Sequence, residues 1–380
     1  MKKYRICFLV STLQTSGPIT VLYNIIQYID VQKYEPWVLT LSPESSNSRW
    51  EDFVSLGVHC DTLGLSRMGM VLYGKRKLRI WIMNMQPDIL HAHGFRPCVY
   101  ITSYTADFQT CCTVHNDPKQ DFVYTYGSFI GRWMYREYFS AIKQLARVIA
   151  CSRAIAGALE QYIGATVTTI PNGIESTPCP MIFNVVRERE RLQLPLDKKL
   201  MISVGVLSKR KDPLLIMRAL GTLFQEKGWC CIFLGDGPER AICERTKTGA
   251  LLLLGNVENV RQYLRCADAF ISASHAEGMP NAVLEAMDAG LPILCSDIPP
   301  HREIYQLNNE IGYLFRDGDE EDLRDKFMCM DRAAATLRPM GRKAAQVVQH
   351  YFLAETMSKA YQDVYEDMLQ MPTIGKGQER

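Results

Sequence analysis

Short apolar runs alternate with longer amphipathic segments along the whole chain, and this alternation strongly restricts its fold. In the first half, the runs that are short and apolar enough to be strands lie at 5–10, 37–41, 89–91, 109–114 and 148–151. In the second half, such runs lie at 200–204, 229–234, 251–254, 269–272 and 292–296. Candidate helices between them lie at 20–29, 131–144, 213–226 and 257–265. Strand–helix alternation is typical of parallel sheets covered by helices on both faces, so the sequence predicts an α/β protein.

The alternation is interrupted once, by a turn at 170–174 and a polar, proline-bearing stretch at 175–199. We place a domain boundary near residue 171, which gives an N-terminal domain at 1–170 and a C-terminal domain at 171–350. A last helix is predicted at 354–370, within a final segment 351–380 that ends in a polar tail. A chain of 380 residues is long enough for two separate cores.

The composition is that of an ordinary globular protein, with 47% apolar and 22% charged residues. Residues 1–170 carry 17 basic against 12 acidic side chains, whereas residues 171–380 carry 26 against 29. The mildly basic first half suits an anionic lipid headgroup or a lipid-pyrophosphate carrier, and it is too weak a bias to indicate nucleic-acid binding. No apolar run approaches membrane-spanning length, and the apolar start of the chain is predicted to be a strand rather than a signal peptide.

The 13 cysteines are an odd number and are scattered without C-x2-C pairs. Two adjacent doublets, at 111–112 and 230–231, fall within strand-like apolar runs. This pattern indicates buried, reduced thiols rather than a disulfide framework, as expected of a cytosolic protein.

One stretch, from residue 272 to 292, predicts a turn that leads into the start of a short helix. Gly278 and Pro280 exclude a helix before Asn281, which we expect to cap a helix that runs to residue 289. Gly290 and Pro292 then end that helix. A helix N-terminus presents unpaired N–H groups and the positive end of the helix dipole, which suits a phosphate.

Two carboxylates accompany this predicted phosphate site. Glu277 precedes it, and Glu285 lies one turn inside the helix. Carboxylates beside an anion would repel it, unless they bind neutral hydroxyls attached to the phosphate, as in a sugar nucleotide. The whole string closely resembles the E-x7-E signature of the retaining glycosyltransferases of family 4, including its Met-Pro-Asn, Leu-Glu-Ala-Met and Gly-Leu-Pro segments. In that family the first glutamate contacts the donor sugar and the second holds the ribose, which implies these roles for Glu277 and Glu285.

The resemblance implies the GT-B fold, in which two Rossmann-like, doubly wound domains face a central cleft. The last helix would then return to the first domain. It further implies transfer of a sugar from a nucleoside-diphosphate sugar to a hydroxyl, with retention of configuration and without metal. The family is usually explained by front-face attack, in which the leaving phosphate takes the proton of the acceptor.

A basic loop follows the first strand of the second domain. The family pattern Gly-Arg-Leu-x3-Lys is met at Gly205 and Lys211, but Val206 stands where the arginine is expected. The resemblance assigns Lys211 to the leaving diphosphate, and Lys209 or Arg210 could replace the missing arginine only if the loop turns inward. Further donor contacts that the resemblance implies are Gly17 in a reduced glycine loop, Val206, Gly235, Asn256, Gly278, Met279 and Asn281.

In the first domain, His115 follows a buried strand, and the resemblance implies contact with the donor sugar or help near the acceptor. His91 and His93 match a His-x-His strand end; we assign them to opposite faces, His91 to the core and His93 to the cleft. Ser152 is a further candidate for the cleft lining. The Asp317-Gly318-Asp319 triplet mimics the metal-binding D-x-D motif, but we expect Asp319 to cap a helix, and we predict neither metal nor cofactor.

We therefore predict a hexosyltransferase that acts on a saccharide or lipid-linked saccharide in bacterial surface polysaccharide synthesis, such as O-antigen, capsule or exopolysaccharide. The predicted location is cytoplasmic, with peripheral contact at the inner membrane face. The basic-aromatic run at 72–81 fits either that contact or a solvated helix. Two alternatives remain, a sugar-nucleotide epimerase of the same fold and a non-catalytic family-4-like partner of another transferase. Val206 and the reduced glycine loop favour the second.

Overall fold

A computed structural model of the chain describes residues 3–176 and 183–371. It divides into two compact units, of which unit 1 comprises Met1–Glu175 with Ala354–Arg380 and unit 2 comprises Ser176–Leu353. Part of the predicted proline-bearing stretch, residues 177–182, and the polar tail at 372–380 lie outside the described residues.

Unit 1 is built on a parallel sheet with the strand order β3-β2-β1-β4-β5-β6-β7. The strands are β1 Tyr4–Val10, β2 Tyr34–Thr40, β3 His59–Thr62, β4 Ile89–His93, β5 Gln109–Val114, β6 Arg147–Ala150 and β7 Thr168–Thr169. The helices are α1 Gly17–Gln27, α2 Trp50–Ser55, α3 Arg67–Gly69, α4 Lys75–Met85, α5 Phe95–Ile101, α6 Pro118–Ile142 and α7 Arg153–Ile163. A π-helical turn at Met70–Gly74 joins α3 to α4, and a 3-10 turn at Thr102–Tyr104 follows α5.

Unit 2 has a second parallel sheet with the order β10-β9-β8-β11-β12-β13. Its strands are β8 Lys199–Val204, β9 Trp229–Leu234, β10 Leu251–Gly255, β11 Ala269–Ser272, β12 Ile293–Ser296 and β13 Gly312–Phe315. Its helices are α8 Val185–Arg191, α9 Pro213–Glu226, α10 Arg240–Thr246, α11 Val260–Cys266, α12 Asn281–Asp288, α13 Pro299–Tyr305, α14 Glu320–Arg332 and α15 Leu337–Tyr351, with 3-10 turns at Asn309–Ile311 and Ala334–Thr336. In both units the strand order reverses direction beside the first strand, as in doubly wound sheets.

The last helix, α16 Ala354–Gln370, is part of unit 1. Its buried residues Met357, Tyr361, Tyr365 and Met368 recur at helical spacing, so they form one face that joins the same apolar core as β1. The backbone N–H of Ala354 also donates to Ile174 at 2.9 Å. Unit 1 is therefore completed by residues from the end of the chain.

Several predicted helix boundaries are wrong. Helix α1 begins at Gly17 rather than at 20, and α11 begins at Val260 rather than at 257. Asn281 is the first residue of α12 and Pro280 occupies the cap position, so Asn281 does not cap the helix. Helix α6 begins 13 residues before the predicted start at 131, and it bends sharply at Gly127, whose φ is 78°. Gly131 allows the bent helix to close on itself, because a side-chain carbon there would lie 2.5 Å from the carbonyl oxygen of Phe122.

Candidate active site

The loops after β8 and β11 bring the predicted donor-binding side chains together in unit 2. These strands are neighbours, so their carboxyl ends meet at one edge of the sheet. Arg210 Nη1 lies 3.3 Å from Glu277 Oε2 and 2.7 Å from the carbonyl oxygen of Ala276. Lys211 Nζ donates a short hydrogen bond to the other oxygen of Glu277. One buried carboxylate, with only 7% of its side chain exposed, thus receives two cations.

This arrangement keeps Glu277 ionised. Burial raises its pKa, but the charges of Lys211 and Arg210 outweigh that effect and bring the pKa to about 2. The pKa of Glu285, which lies one turn inside α12, is instead raised, because burial raises it by more than the nearby Arg261 lowers it. The two glutamates of the signature therefore differ in their electrostatic surroundings.

The loop after β8 turns inward, as the replacement of the missing arginine would require. Val206, at the expected arginine position, is 55% exposed, whereas Arg210 reaches Glu277. Lys209 is exposed.

The remaining donor candidates of unit 2 lie near the same edge of the sheet. Gly235 has a steric role, because a side-chain carbon there would lie 2.0 Å from the carbonyl oxygen of Gly205. Asn256 is exposed directly after β10, while Gly278 and Met279 are buried before α12. Glycine at 235 thus allows the loops after β8 and β9 to pack closely.

Unit 1 contains a cavity of about 350 Å³ at the carboxyl ends of β1, β4 and β5. Its lining combines hydroxyls, amides, histidines, aromatic rings and one carboxylate, among them Ser11, Thr12, Gln14, Ser16, His93, Phe95, His115, Asn116, Asp121, Phe122 and Tyr138. Gly17 begins α1 between Ser16 and Pro18, which both line the cavity. Ser152 is buried, and its hydroxyl accepts a hydrogen bond from the Ile155 amide at 3.2 Å, so its contact is that of a helix cap.

His93 and His115 form a hydrogen-bonded pair in this cavity, with 3.0 Å between His93 Nδ1 and His115 Nε2. Burial lowers the pKa of His115 to about 4 and, with the charges of His91 and His115, lowers that of His93 well below its ordinary value. Both rings are therefore neutral at pH 7, and one of the two facing nitrogens carries the proton of the hydrogen bond between them. Their outer nitrogens, His93 Nε2 and His115 Nδ1, have no hydrogen-bond partner among the residues described. In either tautomer, one outer nitrogen donates and the other accepts.

The assignment of His91 and His93 to opposite faces of β4 is wrong. Their ring centroids lie 4.4 Å apart, because residues two apart on a strand share a face. His91 is a core residue, as expected. Its Nδ1 lies 2.8 Å from the Tyr365 hydroxyl, and its Nε2 lies 2.9 Å from Thr113 Oγ1, which in turn lies 3.0 Å from the Tyr361 hydroxyl. Helix α16 thus holds the strand that carries His93.

The Asp317-Gly318-Asp319 triplet does not gather a metal site. Asp319 caps α14 by accepting a hydrogen bond from the Asp322 amide at 2.9 Å, as predicted. Within residues 3–176 and 183–371, no group of three or more His, Cys, Asp or Glu side chains is placed to hold a metal ion.

One exposed feature was missed by sequence reasoning. The bent helix α6 presents an exposed apolar set, here called the aromatic surface, which comprises Tyr124, Tyr126, Phe129, Ile130 and Trp133. Phe129 is 89% exposed. The density of aromatic residues between 122 and 139 was a visible signal, but the two glycines obscured the helix that displays them.

Unit 1 has a second exposed apolar segment, which comprises Met68, Val71, Leu72 and Tyr73. Among the described residues, no helix combines the length and apolar character needed to cross a bilayer.

Two family models match successive parts of the chain. The model described as Glycosyltransferase Family 4 matches residues 15–177, and that described as Glycosyl transferases group 1 matches residues 185–343. The chain is 23% identical over 380 residues to the O-antigen biosynthesis glycosyltransferase WclY of Escherichia coli, covering 96% of this chain and 98% of that protein. It is 29% identical over 222 residues to the putative teichuronic acid biosynthesis glycosyltransferase TuaC of Bacillus subtilis, covering 57% of this chain and 54% of that protein.

Solved structures give the same result for the fold. Anabaena Alr3699/HepE in complex with UDP superposes with a TM-score of 0.79 at 16% identity, covering 96% of this chain and all of that one. WaaG, a glycosyltransferase involved in lipopolysaccharide biosynthesis, superposes with a TM-score of 0.72 at 14% identity, covering 95% of this chain and 99% of that one. Two Rossmann-like domains, matched in turn by these two family models, show that the chain belongs to the family-4-like glycosyltransferases with the GT-B fold.

Proposed function

We propose that the chain transfers a hexose from a nucleoside-diphosphate sugar to a hydroxyl of a saccharide or lipid-linked saccharide, with retention and without metal. The observation that carries this proposal is the contact of Lys211 and Arg210 with Glu277 at the sheet edge of unit 2. Two cations beside a sugar-binding carboxylate are what a sugar attached to a diphosphate requires. Complexes of Alr3699/HepE with UDP and with UDP-glucose support a nucleotide-sugar donor.

Binding of a diphosphate would redistribute this ion cluster. Lys211 and Arg210 would turn to the phosphate oxygens, and Glu277 would accept hydrogen bonds from hydroxyls of the donor sugar. In the transfer step the bond between the anomeric carbon and the phosphate oxygen breaks, and the acceptor oxygen bonds to that carbon on the same face. The acceptor proton goes to the leaving diphosphate, whose charge the two cations stabilise. Arg210 would thereby replace the arginine that the family pattern has at position 206.

The cavity of unit 1 suits a neutral, polyhydroxylated acceptor. Its hydroxyls, amides and paired neutral histidines offer both donors and acceptors of hydrogen bonds. Phe95, Phe122 and Tyr138 add aromatic surface of the kind that covers the apolar face of a sugar ring. We place the acceptor here, with His115 and His93 orienting the attacking hydroxyl.

We assign contact with the membrane that carries a lipid-linked acceptor to the aromatic surface of unit 1. The aromatic surface is accompanied by the exposed Arg132 and Arg136, a combination that favours the interface of an anionic bilayer. The relatives named for O-antigen and teichuronic acid biosynthesis support a role in bacterial surface polysaccharide assembly. We propose that this role is carried out on the cytoplasmic side of the membrane.

The proposal is tested by thermal-shift and donor-hydrolysis assays with UDP-, GDP-, ADP- and dTDP-sugars in the presence of EDTA. We expect one nucleotide class to stabilise the protein and its sugar to be hydrolysed slowly. Both effects should be lost in Glu285→Ala and kept in Glu310→Ala, which removes an exposed carboxylate paired with Lys343 in the same unit.

Each other outcome contradicts a part of the proposal. If no nucleotide sugar binds, the transferase function is wrong. Binding without hydrolysis, or without transfer to any saccharide offered, would favour a non-catalytic partner. Release of an isomerised sugar nucleotide without acceptor would identify an epimerase, and activity that EDTA abolishes would refute metal independence.

A further inference from the structure

His275 connects three loops at the carboxyl edge of the sheet in unit 2. Its Nδ1 lies 2.6 Å from Asp317 Oδ1, in the loop after β13, and its Nε2 lies 3.2 Å from Asp212 Oδ2, in the loop after β8. Its own backbone N–H donates to the carbonyl oxygen of Arg210 at 2.8 Å. We call this arrangement the Asp212–His275–Asp317 clamp.

Both ring nitrogens face carboxylates, so both must carry a proton. The hydrogen bond to Asp212 raises the pKa of His275, burial lowers it by less, and Asp317 raises it again, which brings it to about 9. Arg218 is a further charged group near Asp212, and its charge helps to lower the pKa of Asp212, which burial raises. The clamp is thus one imidazolium between two carboxylates, and it adds no net positive charge to the site.

The clamp also fixes a strained backbone. Asp212 adopts a left-handed conformation, with φ 40° and ψ 62°, which is uncommon for a residue other than glycine. Its two carboxylate oxygens hold it there, because Oδ1 accepts from the Leu215 amide at 3.0 Å while Oδ2 contacts His275. Lys211 directly precedes this turn and lies against Gly205, where a side-chain carbon would come within 3.4 Å of Lys211 Cε.

We propose that His275 is a positioning residue for the donor site, and that the clamp holds Lys211, Arg210 and Glu277 in place for the diphosphate sugar. The inference rests on the proposed function. It follows from placement, since the clamp fixes the residue after Lys211, the carbonyl of Arg210 and the chain two residues before Glu277. The Asp317-Gly318-Asp319 triplet then has two structural roles, with Asp317 in the clamp and Asp319 capping α14.

The test compares His275→Gln with wild type, because glutamine can donate to one carboxylate but not bridge two. We expect the KM of the donor sugar nucleotide to rise by about tenfold, the effect of losing one charge-assisted hydrogen bond. Affinity for UDP, GDP, ADP or dTDP, whichever binds wild type in calorimetry, should fall in parallel. Lys343→Gln, which breaks an exposed ion pair with Glu310, is the matched control and should change neither quantity.

The pH dependence separates positioning from a merely structural role. Above about pH 9 the wild-type imidazolium loses a proton, so kcat/KM for the donor should fall as pH rises through that value. His275→Gln should lack this limb. A purely structural role would lower the melting temperature without changing donor KM or the pH profile, and this result would overturn the inference.

A second variant guards against misfolding of the first. Asp317→Asn keeps a polar partner for the ring but removes its charge, so the alkaline limb should move to lower pH and donor KM should rise by less. If wild type binds and uses a donor while both variants match its KM and pH profile, the clamp has no positioning role and the proposed function stands. If wild type binds none of the four nucleotides, the proposed function fails and the clamp inference fails with it.

Discussion

In each unit a cluster of polar side chains lies at the carboxyl edge of the sheet, and the two clusters differ in charge. In unit 1 the histidines of the cavity are neutral, because burial lowers the pKa values of His93 and His115. In unit 2 the cluster is ionised, with Glu277 between two cations and His275 between two carboxylates. Histidine thus has its pKa lowered in the cavity of unit 1 and raised in the clamp of unit 2. Doubly wound sheets provide the location of a site, whereas its chemistry depends on which charges the loops bring together.

The largest loss of activity is expected when the carboxylate at the centre of the ionised cluster is removed. We expect Glu277→Gln to reduce kcat/KM for transfer by about 1,000-fold, because it removes the donor contact and leaves the cations without their partner. Steady-state kinetics with the identified donor measure this loss. Glu310→Ala is the control. Near wild-type activity of Glu277→Gln would contradict a central role of the cluster in transfer.

A change in the neutral cluster should affect transfer to the acceptor but not donor binding. We expect His115→Phe to lower the rate of transfer to acceptor by about 100-fold, the usual size of an orienting or proton-transferring contribution. Donor affinity and slow donor hydrolysis should be nearly unchanged, because that cluster belongs to unit 1. His59→Gln, a change of an exposed histidine in the same unit, should have no effect. Equal losses of donor binding and transfer would contradict this division of roles.

The proposed membrane contact of unit 1 can be tested by changing the aromatic surface. We expect the double change Phe129→Ser and Trp133→Ser to weaken binding to vesicles of phosphatidylglycerol and phosphatidylcholine by about tenfold, since two exposed rings would no longer enter the interface. Co-sedimentation measures the effect, and activity on a soluble acceptor should be retained. Wild-type binding to pure phosphatidylcholine should be weak. Unchanged binding of the double variant would exclude this surface as the membrane contact.

The smallest expected effect is a different response of the two units to acid. The pKa of His115 is about 4 when folded and 6.5 ordinarily, so the unfolded chain takes up the proton first and unit 1 loses stability as pH falls from 6.5 towards 4. The pKa of Glu277 is about 2 when folded and 4.5 ordinarily, so its contribution is complete above pH 4.5 and is lost as pH falls towards 2.

Hydrogen exchange resolved by peptide, between pH 7 and 4.5, measures this order. Unit 1 should open before unit 2, and His115→Asn should reduce the slope for unit 1 alone. Simultaneous opening of both units, or earlier opening of unit 2, would contradict the assignment of a neutral cluster to unit 1.

Much of the fold and of the donor site could be predicted because its signals are local. The strands at 109–114, 229–234 and 269–272 and the helices at 213–226 and 354–370 have the observed bounds, since each apolar pattern is bordered by clear breaks. The signature helix was located by its flanking glycines and prolines. The bend of α6 was missed, because the packing of this helix on itself at Gly127 and Gly131 depends on contacts that the sequence does not show.

The partners within the site could not be predicted, because they depend on contacts between distant residues. Arg210 reaches Glu277 across 67 positions, and its direction depends on the left-handed turn at Asp212, which no propensity indicates. The clamp joins residues 212, 275 and 317, and none of the motifs recognised in the sequence brings these three side chains together. The pairing of His93 with His115 likewise requires the register of β4 against β5.

The return of α16 to unit 1 has a consequence for how the protein is made. On the ribosome, all of residues 176–353 are synthesised before the helix that supplies Tyr361 and Tyr365 exists. Until then, nascent unit 1 lacks the apolar side chains that α16 adds to the core around β1, and the buried ring of His91 lacks its hydroxyl partner on that helix. Unit 2 can therefore reach its native state during translation, whereas unit 1 must wait for the last stretch of the chain. Chaperone binding to ribosome-bound chains should consequently concentrate on the N-terminal half.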